Sequence, residues 1–237
     1  PEHAPKAVEN FLGLAKEGYY DGTRFHYVRN GELAQAGRPV NQEPSGMEIP
    51  EGETSEAELS AQVPEERSLW GAPFEDEFHD ELHNYPGAVG MAGDGEDNNL
   101  SQFYLILKND KADDERIIPA NLYMNELIQM RMAELKEWDL EDSLNEEKVK
   151  EFEAELNQEI QAIGTDGVPE AYAKKYEESV QRYDIYGGAW NLDYKYTVFG
   201  QIVEGLNIAE AITQVKVEAA TRSPKKDVVI DSIEIRE

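Results

Sequence analysis

A mainly β fold, an antiparallel barrel capped by two short helices and split by an α-helical insertion, is predicted by three features of this 237-residue sequence. Short stretches with strand-like alternation stand at both ends of the chain. Charged stretches with helical periodicity fill its middle. The β part carries two short helices of its own, and strands joined by loops rather than by regularly alternating helices exclude a doubly wound parallel sheet. The boundaries that follow are 1–107 for the first part of the barrel, 108–187 for the helical insertion and 188–237 for the second part.

Taken in order, Ala4 to Gly18 reads as an amphipathic helix. Pro5 stands in its first turn, Val8, Phe11, Leu12 and Ala15 form the apolar positions, and Gly18 is the stop. Tyr19-Tyr20-Asp21-Gly22 is a turn, and Arg24 to Arg29 alternates as a strand. Residues 40–72 are rich in Glu, Pro, Ser and Gly with isolated apolar residues, the pattern of a long surface loop. Ala88 to Ala92 and Gln102 to Leu107 are strands separated by the polar loop Gly93-Asp94-Gly95-Glu96-Asp97-Asn98-Asn99, which lacks the spacing and terminal Glu of a calcium loop. In the insertion, Leu122, Leu127, Met130 and Leu135, then Val149, Phe152, Leu156, Ile160 and Ile163, recur at helical periods and predict a helical hairpin. Tyr172, Tyr176, Val180 and Tyr183 predict a third helix. Beyond Gly187-Gly188 come a strand at Tyr196 to Val203, a short helix around Ile208, Ala211 and Ile212, and a last alternating strand, Val228 to Ile235.

Composition narrows function. Cysteine is absent, which excludes disulfides, thiolate metal sites and a cysteine nucleophile. Four histidines are present, so a zinc site would need His79 and His83 plus carboxylates. No apolar run approaches the roughly 18 residues that span a bilayer. Fifty acidic residues against 22 basic ones give a formal net charge of -28, which repels nucleic acid and anionic membrane. Because the charge is spread over the whole chain, it suits a halophilic protein, one working in salt concentrated enough to screen its self-repulsion.

Six blocks in sequence order carry a family resemblance. Pro5-Lys6-Ala7-Val8-Glu9-Asn10-Phe11, Gly18-Tyr19-Tyr20-Asp21-Gly22-Thr23 with Phe25-His26, and Gln35-Ala36-Gly37-Arg38-Pro39 open it. Phe74-Glu75-Asp76-Glu77-Phe78, then Gly87 to Ala92 continuing to Ser101-Gln102-Phe103, and finally Leu192-Asp193 with Tyr196 to Gly205 complete it. Together they resemble the cyclophilin-type peptidyl-prolyl cis-trans isomerases over roughly 1–107 and 188–237. The resemblance implies an eight-stranded antiparallel barrel with a helix over each end. It also implies further N-terminal sequence in the native protein, because the family's first two strands precede the first helix and are missing here.

The implied chemistry needs no cofactor and no metal. Rotation about an X-Pro bond faces a barrier of roughly 18 to 20 kcal/mol set by amide resonance. An apolar trough for the proline, with a donor aimed at its nitrogen, stabilises the twisted state preferentially. The family's donor is an arginine directly after Phe-His. Tyr27 stands there instead, with a phenol that donates but carries no charge, and Arg29, two residues on along a strand, is a candidate substitute about 7 Å away. Glu32 takes the place of a pocket phenylalanine and Leu33 that of a methionine. Gln35 and Gln102 match glutamines that hold the bound peptide's backbone. Ala92 and Gly93 match the strand edge along which it lies. Tyr104 replaces a phenylalanine of the pocket wall, Leu192 matches outright, Tyr196 stands where many members have histidine, and Asn191 where some have tryptophan. Phe25, Met91, Phe103 and Phe199 read as core. The expected partners are proline-containing polypeptides, and the expected function is isomerisation of X-Pro bonds in unfolded or flexible chains, assisting their folding. The alternative is a noncatalytic proline-peptide or chaperone module, which would tolerate Tyr27 and Glu32. Cell envelope, periplasm and cytoplasm all suit a folding helper.

Overall fold

The computed structural model describes residues 2–39, 66–93, 95–107 and 116–236. Most of the expected surface loop, Asp94 of the polar loop and the start of the insertion lie outside the described residues. Helix α1 (Pro5–Lys16) is followed by strands β1 (Tyr27–Arg29), β2 (Leu33–Ala36), β3 (Ala88–Met91) and β4 (Phe103–Ile106). Then come helices α2 (Ile117–Lys136), α3 (Leu140–Leu144), α4 (Glu146–Asp166), α5 (Glu170–Lys175) and α6 (Glu177–Tyr186). A 3₁₀ turn (Trp190–Leu192), β5 (Val198–Gln201) and α7 (Leu206–Thr213) complete the order.

The five strands form one antiparallel sheet in the order β1-β2-β4-β3-β5. It is antiparallel and helix-flanked as expected, and among the described residues it does not close into a barrel, with β1 and β5 as its edges, which fits the expectation that the family's first two strands are missing. The expected last strand explains part of this. Val228 to Ile230 binds Gly22 to Phe25 through bonds of 2.8, 2.9 and 2.8 Å rather than pairing with β5. Its alternation slips at Asp231 and Ser232, both exposed, so Val228 and Ile230 pack inward in one phase, Ile233 and Ile235 in the other. The expected continuous strand is therefore a short bridged segment with a phase change.

Strand alternation splits the sheet into two faces. The inner face presents Val28, Ala34, Ala36 and Phe103, which pack with Leu14, Ala15, Tyr20 and Phe25 into the main core. Helix α1 covers this face with a stripe at Ala7, Asn10 and Leu14. Leu12, expected on the buried face, is exposed, because it lies about 200° around the helix from Asn10. Asn10 is buried without penalty, as its Nδ2 donates to Leu100 O at 2.7 Å and its Oδ1 accepts from Leu69 N at 2.7 Å.

The insertion has its own core. Ile118 and Leu122 of α2 meet Tyr176 and Tyr183, together with Trp190 and Tyr194 from the segment that follows. Helices α2 and α4 are joined by Arg131, whose guanidinium lies 4.8 Å from the Phe152 ring centre and pairs with Glu134, Glu155 and Glu159. Phe152 is buried, but Met130, expected among the apolar positions of the preceding helical stretch, is half exposed.

Candidate functional site

The outer face of the sheet gathers most of the residues singled out by sequence. Tyr27 stands opposite Gln35, Gln35 opposite Tyr104, and Tyr104 opposite Gly90. In antiparallel pairing, opposed side chains share a face, so Tyr27, Gln35 and Tyr104 form one row across β1, β2 and β4. The next row along is Arg29, Leu33 and Ile106. Gln35 Nε2 donates to Gln102 Oε1 at 2.9 Å, and Gln102 Nε2 donates to Glu66 Oε2 at 2.7 Å. The two glutamines are half-buried and hold each other's orientation beside the middle of the row.

Beside them lies an apolar cluster. Tyr104, Ala88, Ile106, Ala189 and Val198 are buried, with Leu33, Ala92, Leu192 and Tyr196 packed against them. Tyr104 and Tyr196 meet edge to face with ring centres 6.1 Å apart. A cleft of about 270 Å³ opens along this cluster, lined by Arg29, Glu32, Leu33, Ile106 and the 3₁₀ turn from Ala189 to Leu192. Trp190, one position from the family's tryptophan, lines the cleft with Asn191 but packs edge to face on Tyr183. Arg29 does share the outer face with Tyr27, but its guanidinium pairs with Glu32 at 2.7 Å. Gly93 lies beyond the end of β3, where a Cβ would come within 2.8 Å of Asn98 O.

Tyr104 is held from behind by a network that sequence reading did not find. A Cβ on Gly90 would lie 2.3 Å from the Tyr104 ring, so only glycine lets the ring cross β3. Its hydroxyl then donates to Asn84 Oδ1 at 2.7 Å, and Asn84 N and Nδ2 donate to Asp193 Oδ1 at 2.8 and 2.9 Å. Asp193 Oδ2 accepts from Tyr183 of α6 at 2.8 Å and from His83 Nδ1 at 2.7 Å, and His83 Nε2 shares a hydrogen bond with Ser179 Oγ at 2.7 Å. Asn125 of α2 donates to Asp193 O at 2.8 Å. Burial first, and the Asp193 charge second, push the hydroxyls of Tyr104 and Tyr183 well above the usual phenol range. Both therefore stay protonated donors.

Ser179, His83 and Asp193 follow the order of an acyl-transfer triad. Asp193 is held by four hydrogen bonds, however, so the group ties helix α6 to the sheet. His79 and His83, the two histidines that a zinc site would need by sequence, take different partners. His83 is buried on Asp193, while His79 faces His3. No periodicity reveals these contacts, since His83 and Ser179 lie 96 residues apart; the one signal was the cluster of unexplained polar residues His83-Asn84 beside a strand.

His26 borders the glutamine pair. Burial, and then the Arg38 charge, hold its imidazole below the ordinary histidine value.

Comparison with known proteins identifies the family. Residues 1–120 and 120–235 match the family described as cyclophilin type peptidyl-prolyl cis-trans isomerase/CLD. A putative peptidyl-prolyl cis-trans isomerase of Staphylococcus saprophyticus is 33% identical over 237 residues, 100% of this chain and 84% of the relative. One of the same description from Staphylococcus aureus is 31% identical, again over 100% of this chain and 84% of the relative. The crystal structure of a cyclophilin type isomerase from Cryptosporidium parvum superposes with a TM-score of 0.53 at 17% identity, covering 100% of this chain and 86% of that one. At that identity the likeness concerns the fold.

Proposed function

The chain belongs to the cyclophilin-type peptidyl-prolyl cis-trans isomerase family, and we propose that the outer face of its sheet isomerises X-Pro bonds of unfolded or flexible chains. The observation that carries this reading is the cross-strand row Tyr27, Gln35 and Tyr104 ending beside one apolar cluster. Leu33, Tyr104, Leu192 and Tyr196 receive the pyrrolidine ring, whose burial removes water from the amide. Gln35 and Gln102 hold the peptide backbone, and Ala92 and Gly93 leave room for it to lie extended. As the C–N bond twists, resonance is lost and the proline nitrogen becomes a hydrogen-bond acceptor. A donor in the row then stabilises the twisted state more than either planar isomer.

Tyr27 is that donor. It shares the Gln35 row, whereas Arg29 lies one row away with its charge answered by Glu32. Glu32 thus gives Arg29 a partner instead of giving the proline an aromatic wall. The phenol's neutral hydrogen bond makes this a slower catalyst than one with a charged donor. A noncatalytic binding module is not favoured, because the relatives matched across this whole chain are named as isomerases.

Cis-trans exchange of a short Ala-Pro peptide, followed by NMR at substoichiometric protein, tests the assignment. The chain should accelerate exchange, Tyr27→Phe should lower the acceleration about tenfold, and Arg29→Gln should leave it within about twofold. The reverse ranking would move the donor to Arg29.

A further inference from the structure

A second site lies at the N-terminal end of α1, away from the outer face. Glu77 closes that helix end: its carboxylate oxygens accept from Lys6 N at 3.1 Å and Ala7 N at 2.9 Å, two amides that the first turn leaves unpaired. Lys6 also pairs with Glu75. This double attachment lays His3, just before the helix, against the segment after Glu77. There the chain folds into a tight turn in which Leu82 N donates to His79 O at 2.9 Å and Glu81 N donates to His79 Nδ1 at 3.2 Å. His79 and Glu81 are thereby turned toward His3 from a segment 70 residues or more away in sequence.

The side chains meet closely. The imidazoles of His3 and His79 stack with centres 3.6 Å apart and planes 14° from parallel. His3 Nε2 lies 3.0 Å from Glu81 Oε2. One ligating atom from each of His3, His79 and Glu81 lies within 4.8 Å of the other two.

We propose that His3, His79 and Glu81 form a binding site for a divalent transition ion of the zinc type. Zinc holds imidazole nitrogen and carboxylate oxygen at about 2.0 to 2.2 Å, which places neighbouring tetrahedral ligands about 3.4 Å apart. The His3–Glu81 contact is already near that spacing, with an ion taking the place of the shared hydrogen. His79 closes the rest by turning out of the stack and giving up its weak bond from Glu81 N, which water replaces because the site is partly exposed. Two imidazoles and one carboxylate leave a fourth position for water, and the nitrogen donors select zinc, cobalt or nickel over calcium and magnesium. The acidic surface, at net charge -28, raises the local concentration of any divalent cation. Bound ion would cross-link the start of α1 to the turn at 79–81, two segments otherwise joined through Glu77 and Glu75.

Calorimetric titration of the full chain with Zn²⁺, in parallel with His3→Ala, His79→Ala and Glu81→Gln, tests the site. The expected result is one tight zinc per chain, weakened roughly tenfold or more by each substitution, with the metal-free melting temperature unchanged. A hundredfold excess of Ca²⁺ should not displace it, and Co²⁺ should bind with a visible absorption lost in His3→Ala. An isotherm unaltered by the histidine substitutions, or displacement by Ca²⁺, would overturn the proposal and leave only diffuse binding by surface carboxylates.

Discussion

The two faces of the five-stranded sheet are built by different rules. On the inner face, Val28, Ala34, Ala36 and Phe103 bury themselves against α1 with apolar groups alone, so any close-packed set of similar volume would serve. On the outer face, Tyr27, Gln35 and Tyr104 stand in a row of polar-tipped residues that the sheet cannot satisfy by itself. Tyr104 reaches its position only because Gly90 has no side chain and because Asn84, itself held by Asp193, receives its hydroxyl. The inner face holds the fold, whereas the outer face is held by the fold and by the insertion behind it. The helices therefore do more than fill space: α6 supplies Tyr183 and Ser179, and α2 supplies Asn125, to the network that backs the pocket wall.

That contrast breaks most sharply at Asp193. Asp193→Ala leaves the Asn84 amides, His83 and Tyr183 without their common acceptor, and should cost about 3 to 5 kcal/mol in urea unfolding. A loss below about 1 kcal/mol would mean that the insertion does not brace the pocket. Tyr27→Arg sharpens the comparison from the other side. It restores a charged donor to the row without touching the core, and should raise catalysed Ala-Pro exchange about tenfold to a hundredfold. Gln35→Ala should lower the exchange rate about tenfold with the melting temperature nearly unchanged, since one backbone-holding hydrogen bond is lost.

The smallest effect concerns pH. The His26 imidazole titrates lower in the folded chain than in the unfolded one, mainly through burial. Its contribution to stability is therefore complete above the unfolded value of about 6.5 and declines as pH falls below it. His26→Gln should flatten the fall in melting temperature on acidification below that value; an unchanged slope would show that His26 does not govern it.

Much of this architecture is legible in the sequence, because strand alternation and short motifs are local. The strands around Tyr27, Met91, Phe103 and Phe199, and the set Leu33, Gln35, Gln102, Tyr104, Leu192 and Tyr196, come together as their order implies. Local patterns fail where the deciding contact is distant. Leu12 and Leu14 are both apolar, and only the sheet beneath α1 selects Leu14. His79 and His83 share a helical spacing but no helix, and their partners, His3 and Asp193, lie on other segments. The end of the last strand is lost for the same reason: alternation shows which side chains can face inward, but not that, among the described residues, the bonds to the segment at 22–25 stop at Ile230.

The most direct test of the two-face account is an NMR titration with an Ala-Pro peptide, read at side chains rather than along the backbone. The Nε2 amides of Gln35 and Gln102 and the methyls of Leu33 and Leu192 should shift together in proportion to peptide bound, while the methyls of Leu14, Val28 and Ala34 stay still. Shifts centred on the inner-face methyls or on α4, with the glutamine amides unmoved, would contradict the placement of the isomerase groove.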